Sequence, residues 1–297
     1  MTLTLFRRSP DCQLAGYVYI LPCLLVTTLF FIIPLLMTLW MSFNEWPLLG
    51  QPSFTGLKNY QDLLYDDSFW GSLGFTVKYT VVVTPLIFLV AFSLALLVHR
   101  SVRLVGLFRT AYFLPVVIGM TTASLLWTWL FNDQVGIFSA VLMDLGWVEE
   151  PVQWLAETHS ALASIVVMVL WKASGFTMVI LLVGMQAIPH DLYEAARLDG
   201  ARWYTQIRHV TIPLMRRTFA LALTMSLIGS FLAFEQFFVM TRGGPFNSTI
   251  SVVHWIYRAS FTYFKLGYGA AMSVLLLLIL LALSVLQMYL LREDDHA

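Results

Sequence analysis

Charged residues are scarce in this chain, and their scarcity is the first limit on what the protein can be. Lys, Arg, Asp and Glu together make up 11% of the 297 residues, and the mean hydropathy is +0.78. Because a soluble globular domain carries about 25% charged residues, this composition places the chain in a lipid bilayer. The net charge is zero, so no chain-wide field attracts nucleic acid, and we expect no nucleic-acid partner.

Cysteine is nearly absent, and two common site patterns are missing. Cys12 and Cys23 are the only cysteines and both lie near the N-terminus, so neither a disulfide framework nor a zinc site is available. No two histidines stand four residues apart, and no Gly-x-Ser-x-Gly nucleophile motif occurs. We therefore expect no metal site and no catalytic residues.

The sequence also lacks a nucleotide-binding P-loop, which requires Gly-Lys-Ser or Gly-Lys-Thr at the end of a Gly-rich turn. None of the four lysines follows a glycine. We therefore expect this chain to bind no cofactor itself, and any ATP-driven work must come from another polypeptide.

Long apolar stretches, by contrast, are abundant. A bilayer core of ~30 Å needs about 20 residues of helix. Six stretches are long enough: 14–40, 73–98, 108–131, 161–188, 219–240 and 267–291. The first is too long for a signal peptide and has no small-residue cleavage site, so we interpret it as an uncleaved span. The sequence predicts an all-α membrane protein with six transmembrane helices, a single polytopic domain over residues 1–297.

Basic residues indicate how the spans are oriented. If both termini are cytoplasmic, four Lys and Arg lie in outer segments and two lysines lie in spans, whereas eleven arginines lie in inner segments. The eleven are Arg7, Arg8, Arg100, Arg103, Arg109, Arg197, Arg202, Arg208, Arg216, Arg217 and Arg292. The positive-inside rule then places both termini, and the segment between the fourth and fifth stretches, in the cytoplasm.

That segment is short, polar and patterned. Asp191 and Glu194 fit an acidic variant of the capping box at a helix start. Asp199-Gly200 supplies a turn, because glycine takes a positive φ without steric cost. A second helix is expected from about Arg202 until Pro213 breaks or kinks it. The pattern therefore predicts a helix, a sharp turn and a second helix.

The same segment, residues 189–217, resembles the Glu-Ala-Ala coupling loop of the membrane subunits of ABC importers, and we call it the Glu-Ala-Ala segment. The residues that match the pattern are Glu194, Ala195, Ala196, Asp199, Gly200, Ala201 and Pro213, with apolar Ile207 and Val210 between. Ile207 stands where an aromatic residue is common, and Arg217 stands where a second proline is frequent. In that family the loop couples the permease to the ATPase.

Two outer segments resemble the carbohydrate branch of these importers. Residues 42–60 look like its first periplasmic loop, and residues 241–245 look like its Thr-x-Gly-Gly-Pro segment. Two glycines and a proline force a tight exposed turn, which suits a loop that meets a docked protein or its solute. The residues assigned to this docking loop by resemblance are Thr241, Gly243, Gly244 and Pro245.

The resemblance covers residues 17–291 and implies a type I ABC importer permease, with a five-helix core and an added N-terminal span. It implies a second permease subunit, two cytoplasmic ATPase subunits that carry ATP and Mg, and an extracytoplasmic solute-binding protein. The expected location is the plasma (inner) membrane of a bacterium or archaeon, with multiple spans.

Two of the charges inside predicted spans, Lys172 and Glu235, suggest a translocation path. A charge at the bilayer centre costs ~2.5–3.5 kcal/mol on insertion scales, and Lys172 lies near the midplane of the fourth span. The candidate path residues are Trp171, Lys172, Phe234, Glu235 and Gln236. The alternative is structural: Lys172 pairs with Glu235 between helices. We favour the path, because Glu235 lies about 10 Å nearer the outer surface on a 1.5 Å rise per residue.

Several functions remain open at this point. The leading one is import of a sugar or related polyhydroxylated solute, because only one cation lies deep in a span. The alternative is a glycerol-3-phosphate or glycerophosphodiester importer permease. A self-sufficient secondary transporter would show inverted repeats, which the sequence does not display. An intramembrane enzyme would need paired acid–base or metal residues, and none are evident.

Overall fold

A computed structural model describes residues 10–99 and 104–290, and the side chains of residues 19–289 within those ranges. The basic residues Arg7, Arg8, Arg100, Arg103 and Arg292 of the orientation argument lie outside these ranges. Nearly all regular structure in the described part is helical, which confirms the predicted all-α class.

The regular structure of the described residues consists of fifteen α-helices, three π-helical turns and one short hairpin. The α-helices are α1 (Pro10–Thr27), α2 (Ile33–Ser42), α3 (Lys58–Leu64), α4 (Asp67–His99), α5 (Val105–Val117), α6 (Met120–Leu130), α7 (Ile137–Asp144), α8 (Thr158–Gln186), α9 (His190–Leu198), α10 (Trp203–Gln206), α11 (Ile212–Leu214), α12 (Arg216–Phe231), α13 (Glu235–Met240), α14 (Val252–Tyr257) and α15 (Leu266–Leu290). The π turns are Thr28–Ile32, Ile207–Thr211 and Arg258–Thr262, and antiparallel strands β1 (Asn44–Glu45) and β2 (Ser53–Phe54) form the hairpin.

Five helical stretches of the described chain are long and apolar enough to cross a membrane. They are Tyr19–Ser42, Asp67–His99, Thr158–Gln186, Arg216–Met240 and Leu266–Tyr289. The helices α5 and α6 reach the same criterion only together, and they are bent by 97° at their junction. The count is therefore five, or six if the bent pair is one span.

The third predicted span, 108–131, is thus not one straight helix. Ile118 and Gly119 adopt extended backbone angles, with ψ of 133° and 146°, and separate α5 from α6. Pro115 lies in the last turn of α5, where its missing N–H and its ring weaken the helix. The sequence predicted a span here and did not indicate the break, and the bent pair together still reaches the length and hydropathy of one span.

The fifth predicted span, 219–240, is also interrupted. The helix α12 ends at Phe231 and α13 begins at Glu235, with Phe234 at φ −134° and ψ −56° between them. The two helices beyond these breaks, α6 and α13, pack against each other, whereas α5 packs mainly on α8.

By packing, the described residues divide into two units, one formed by 10–65 with 258–277 and the other by 66–99 and 104–257 with 278–290. Within the first unit, a buried asparagine orders the loop after α2. The Asn59 side-chain amide donates to the carbonyl oxygens of Ser42 at 2.9 Å and Asn44 at 3.0 Å. A Cβ on Gly267 would collide with the Asn44 carbonyl, so the start of α15 lies directly against this loop.

The second unit is organised around α4 and α8, which pack along their lengths. One apolar cluster includes Tyr79, Trp127, Met168 and Phe237, and the other includes Met178, Met185 and Met215. α8 approaches α5 and α12 closely at two glycines: a Cβ on Gly175 would collide with the Tyr112 carbonyl, and one on Gly184 would crowd the Thr218 side chain. These glycines bring the helix backbones together.

Candidate functional site

The Glu-Ala-Ala segment contains the sharp turn that its sequence predicts. Gly200 has φ of +75°, the Gly200 N–H donates to the Arg197 carbonyl at 3.0 Å, and the Ala201 N–H donates to the Ala196 carbonyl at 2.9 Å. This pair of bonds is the Schellman motif, which ends a helix with a glycine in the left-handed conformation. The predicted Asp199-Gly200 turn is confirmed.

The capping box predicted at the start of α9 is absent. Pro189 occupies the N-cap position, and no side chain caps the helix, so Asp191 lies within the first turn rather than before it. At that position the positive end of the helix dipole still stabilises its negatively charged carboxylate. Glu194 instead faces His190 one turn earlier at 3.5 Å, an exposed pair that contributes little to stability.

The second helix of the segment is irregular. The short helix α10 leads into the π turn Ile207–Thr211 and then α11, which contains Pro213 and ends at Leu214. Pro213 therefore does not end the helix itself. Because proline has no N–H to donate back, a wide turn before it is a natural accommodation. The chain changes direction two residues later, at the buried Met215.

One side-chain contact, not predicted from sequence, joins the two helices of the segment. The Tyr193 hydroxyl on α9 lies 3.0 Å from the Thr211 Oγ1 in the π turn. The Gln206 amide also donates to the Ala201 carbonyl at 3.0 Å, which ties α10 back to the turn. The segment is therefore a folded helical hairpin rather than a loose loop.

The hairpin presents an exposed surface that contains large apolar side chains. No residue of α9 is buried, and Glu194, Ala195 and Asp199 are exposed. Leu198 is 89% exposed, and Trp203 is also exposed beyond the turn. Exposed apolar groups rimmed by charges are typical of a surface that meets another protein.

A cavity of about 720 Å³ lies behind this surface. Its lining comes from the ends of α4 and α8 and from the segment itself, and includes Leu97, Met185, Tyr193, Arg197 and Gln206. The segment and the ends of two membrane helices therefore line one cavity.

At the break in the third span, the two intramembrane charges bind different groups. The Lys172 ammonium donates to the Val116 carbonyl oxygen in the last turn of α5, at 3.1 Å. The Thr121 hydroxyl, in the first turn of α6, donates to the Glu235 carboxylate at 3.0 Å. Lys172 and Glu235 themselves form no ion pair within 4 Å, so the direct pair weighed from the sequence is absent.

The other candidate path residues are placed differently. Trp171 is partly exposed, with its ring 5.6 Å from that of Trp127. Phe234 packs against Phe238 and other rings near α14. The Gln236 amide is 4% exposed and donates to the Tyr79 hydroxyl at 3.4 Å, inside the core. Lys172 and Glu235 thus lie at the break, whereas the Gln236 side chain lies in the core. That the five candidate residues line a translocation path stays a prediction.

The Thr-x-Gly-Gly-Pro residues form a tight turn after α13. Gly243 has φ of +83°, and the Gly244 N–H donates to the Thr241 carbonyl at 2.9 Å. The buried Thr249 hydroxyl bonds the Gly244 carbonyl at 2.6 Å and lies 2.8 Å from the Thr241 hydroxyl, which ties the far side of the turn to its start. Pro245 follows Gly244, and the next side chain, Phe246, is 99% exposed.

Residues 100–293 match the family described as the binding-protein-dependent transport system inner membrane component. The chain belongs to this family. It is 34% identical to the probable starch degradation products transport system permease protein AmyD of Thermoanaerobacterium thermosulfurigenes, over 94% of each chain. It is also 34% identical to the trehalose/maltose transport system permease protein MalF of Thermococcus litoralis, over 93% of this chain and 92% of that protein.

The fold is shared with a bacterial ABC transporter involved in import of the acidic polysaccharide alginate. The TM-score is 0.84 at 19% identity, covering 96% of this chain and 97% of that chain. The resemblance to an ABC importer permease of the carbohydrate type is therefore confirmed, and so is its membrane-spanning fold.

Sequence reasoning missed the residues that organise the two breaks in this permease. Pro115 and Gly119, four residues apart, were the available signal for the break in the third span. The groups that bind there, the Val116 carbonyl and the Thr121 hydroxyl, have no distinctive sequence signature, because every residue has a backbone carbonyl and several spans contain threonine.

Proposed function

We propose that this permease is the membrane-spanning subunit of an ATP-driven, binding-protein-dependent importer that moves a sugar or related polyhydroxylated solute into the cytoplasm. The observation that carries the proposal is the exposed helical hairpin of the Glu-Ala-Ala segment, which shares a cavity with the ends of two membrane helices and leaves α9 exposed. The relatives named for starch degradation products and for trehalose and maltose support the carbohydrate class.

The hairpin surface is proposed to dock a cytoplasmic ATPase. Apolar Leu198 and Trp203 stand exposed among charged neighbours, so another protein surface would remove them from water. Since no lysine of this chain follows a glycine, ATP and Mg are assigned to two partner ATPase subunits. The excess of arginines in the segments on this side supports a cytoplasmic location for the hairpin and both termini.

Two further partners are proposed, a second permease subunit and a solute-binding protein that docks at the opposite end of the fifth span. A second permease subunit of similar build would complete the path, and a solute-binding protein would dock on the turn around Gly243, Gly244 and Pro245. A protein of the same fold has been solved in complex with an alginate pentasaccharide-bound periplasmic protein, which supports docking of this kind.

A phosphorylated solute is not favoured. A glycerol-3-phosphate or glycerophosphodiester group carries charge that needs several cations in the path. Lys172 is the deep cation among the described membrane residues, and its ammonium is already bonded to the Val116 carbonyl.

Uptake by the reconstituted complex tests the proposed function. Proteoliposomes would contain the permease, its partner permease and the ATPases, with binding protein outside and ATP inside. We expect ATP-dependent, binding-protein-stimulated accumulation of at least one labelled di- or oligosaccharide from a panel that includes glycerol-3-phosphate. Uptake of glycerol-3-phosphate alone, or uptake that needs no ATP, would contradict the proposal.

A further inference from the structure

The break in the third span leaves backbone groups that must find partners within the membrane. An unbroken helix would bring the Met120 N–H to the Val116 carbonyl, and the extended residues Ile118 and Gly119 take that donor away. A carbonyl in hydrocarbon has no water to accept from, so it must be satisfied by protein. The Lys172 ammonium, 3.1 Å from the Val116 oxygen, supplies the missing donor.

The charges at the break also match the helix ends that they face. The C-terminal end of α5 carries a partial negative charge and the N-terminal end of α6 a partial positive charge. Lys172 lies at the negative end, and the Glu235 carboxylate lies at the first turn of α6 through the Thr121 hydroxyl, at 3.0 Å. The two side chains therefore stabilise opposite sides of one break.

The helices that carry these charges are themselves fixed to the two halves of the broken span. Gly175, one turn after Lys172 on α8, lies directly against the Tyr112 backbone of α5. Glu235 is the first residue of α13, which packs on α6. Lys172 thus lies on α8, which packs against α5, and Glu235 lies on α13, which packs against α6.

From these contacts we infer that Lys172 and Glu235 are positioning residues that hold the break of the third span and set the angle between α5 and α6. Lys172 acts on the α5 carbonyl and Glu235 on the α6 hydroxyl. The inference rests on the proposed function only for its uptake readout, since the angle is measured without any solute.

The distance across the break tests the inference directly. In the assembled complex, with Cys12 and Cys23 replaced by serine, spin labels would be placed at Leu107→Cys on α5 and Trp129→Cys on α6, which are 64% and 60% exposed. At 1.5 Å per residue, these positions are about 22 Å apart across the observed bend and would be about 33 Å apart in a straight helix.

Lys172→Met and Glu235→Met, which remove the donor to the Val116 carbonyl and the acceptor for the Thr121 hydroxyl, should each shift the distance distribution towards the straight-helix value, with lower uptake. Lys172→Arg keeps a donor for the Val116 carbonyl, so this variant should retain both the original distance distribution and the uptake rate. The matched control is Lys78→Met, which makes the same change at an exposed lysine in α4 and should leave the distance unchanged.

Two outcomes would overturn the inference. If Lys172→Met abolishes uptake while the distance distribution stays that of the unsubstituted complex, Lys172 acts on the solute and not on the helix break. If neither variant changes the distance, the break is held by backbone geometry alone. Should Lys172→Met fail to assemble, Thr121→Val removes the hydroxyl that reaches Glu235, and an unchanged distance in that variant counts equally against the inference.

Discussion

The Tyr193 hydroxyl lies 3.0 Å from the Thr211 Oγ1 and so joins the two helices of the Glu-Ala-Ala segment. Thr211 is buried in the π turn that leads to the fifth span, whereas Tyr193 lies on the exposed helix α9. We therefore expect a displacement of α9 to be transmitted to α12 through this contact as well as along the backbone.

Tyr193→Phe should weaken this connection at a cost of about 0.5–1.5 kcal/mol, the net contribution of one hydrogen bond. We expect a lower ratio of solute transported to ATP hydrolysed, with the complex still assembled, because the ring remains in place. The measurement is uptake and ATP hydrolysis on the same proteoliposomes. Tyr204→Phe, on the exposed helix α10, is the matched control; an equal effect of both substitutions would remove the special role of the Tyr193 contact.

Gly200→Val should uncouple ATP hydrolysis from transport while the protein still inserts. A Cβ at Gly200 meets nothing within 4 Å, so the strain comes from the φ of +75° alone. That conformation costs a residue with a side chain roughly 1–2 kcal/mol, and more for a β-branched one. Gly200→Asn is the control, since asparagine tolerates the left-handed conformation at a helix end. Normal uptake in the valine variant at normal assembly would rule out this role for the turn.

The turn and the break show what the sequence could and could not predict. The turn at Gly200 is local, since one glycine and the helix before it determine the geometry, and it was predicted correctly. The capping box failed because Pro189 takes the N-cap position. The break at Ile118 and Gly119 had a local signal in Pro115 and Gly119, but Lys172 and Glu235, which bind its two sides, lie on helices that are distant in sequence and so could not be assigned to it.

In the spans too, local features could be predicted and contacts between distant helices could not. Apolar length alone was enough to predict the membrane class and most helix positions. Side-chain roles inside the spans depend on which helix lies opposite, so Gln236 was grouped with Glu235 from sequence although its amide bonds Tyr79 in the core.

Gly244→Leu should reduce binding-protein-stimulated ATPase activity more than basal activity. A Cβ at Gly244 would lie 3.2 Å from the Thr241 carbonyl oxygen, so the turn must shift slightly, and the leucine side chain adds bulk to its exposed surface. Phe246→Ser is the companion variant, because it removes a fully exposed ring without changing the backbone. If stimulated and basal activities fall by the same factor in both variants, the turn has only a structural role.

Photo-crosslinking from the exposed tip of the Glu-Ala-Ala segment tests the central claim most directly. A photoreactive amino acid at Leu198, which is 89% exposed, would be activated in the full complex with binding protein present. The same amino acid at Phe246 serves as the control on the opposite end of the fifth span. We predict that Leu198 crosslinks to the ATPase subunit and Phe246 to the binding protein; a Leu198 crosslink to the binding protein, or none to the ATPase, would contradict the account.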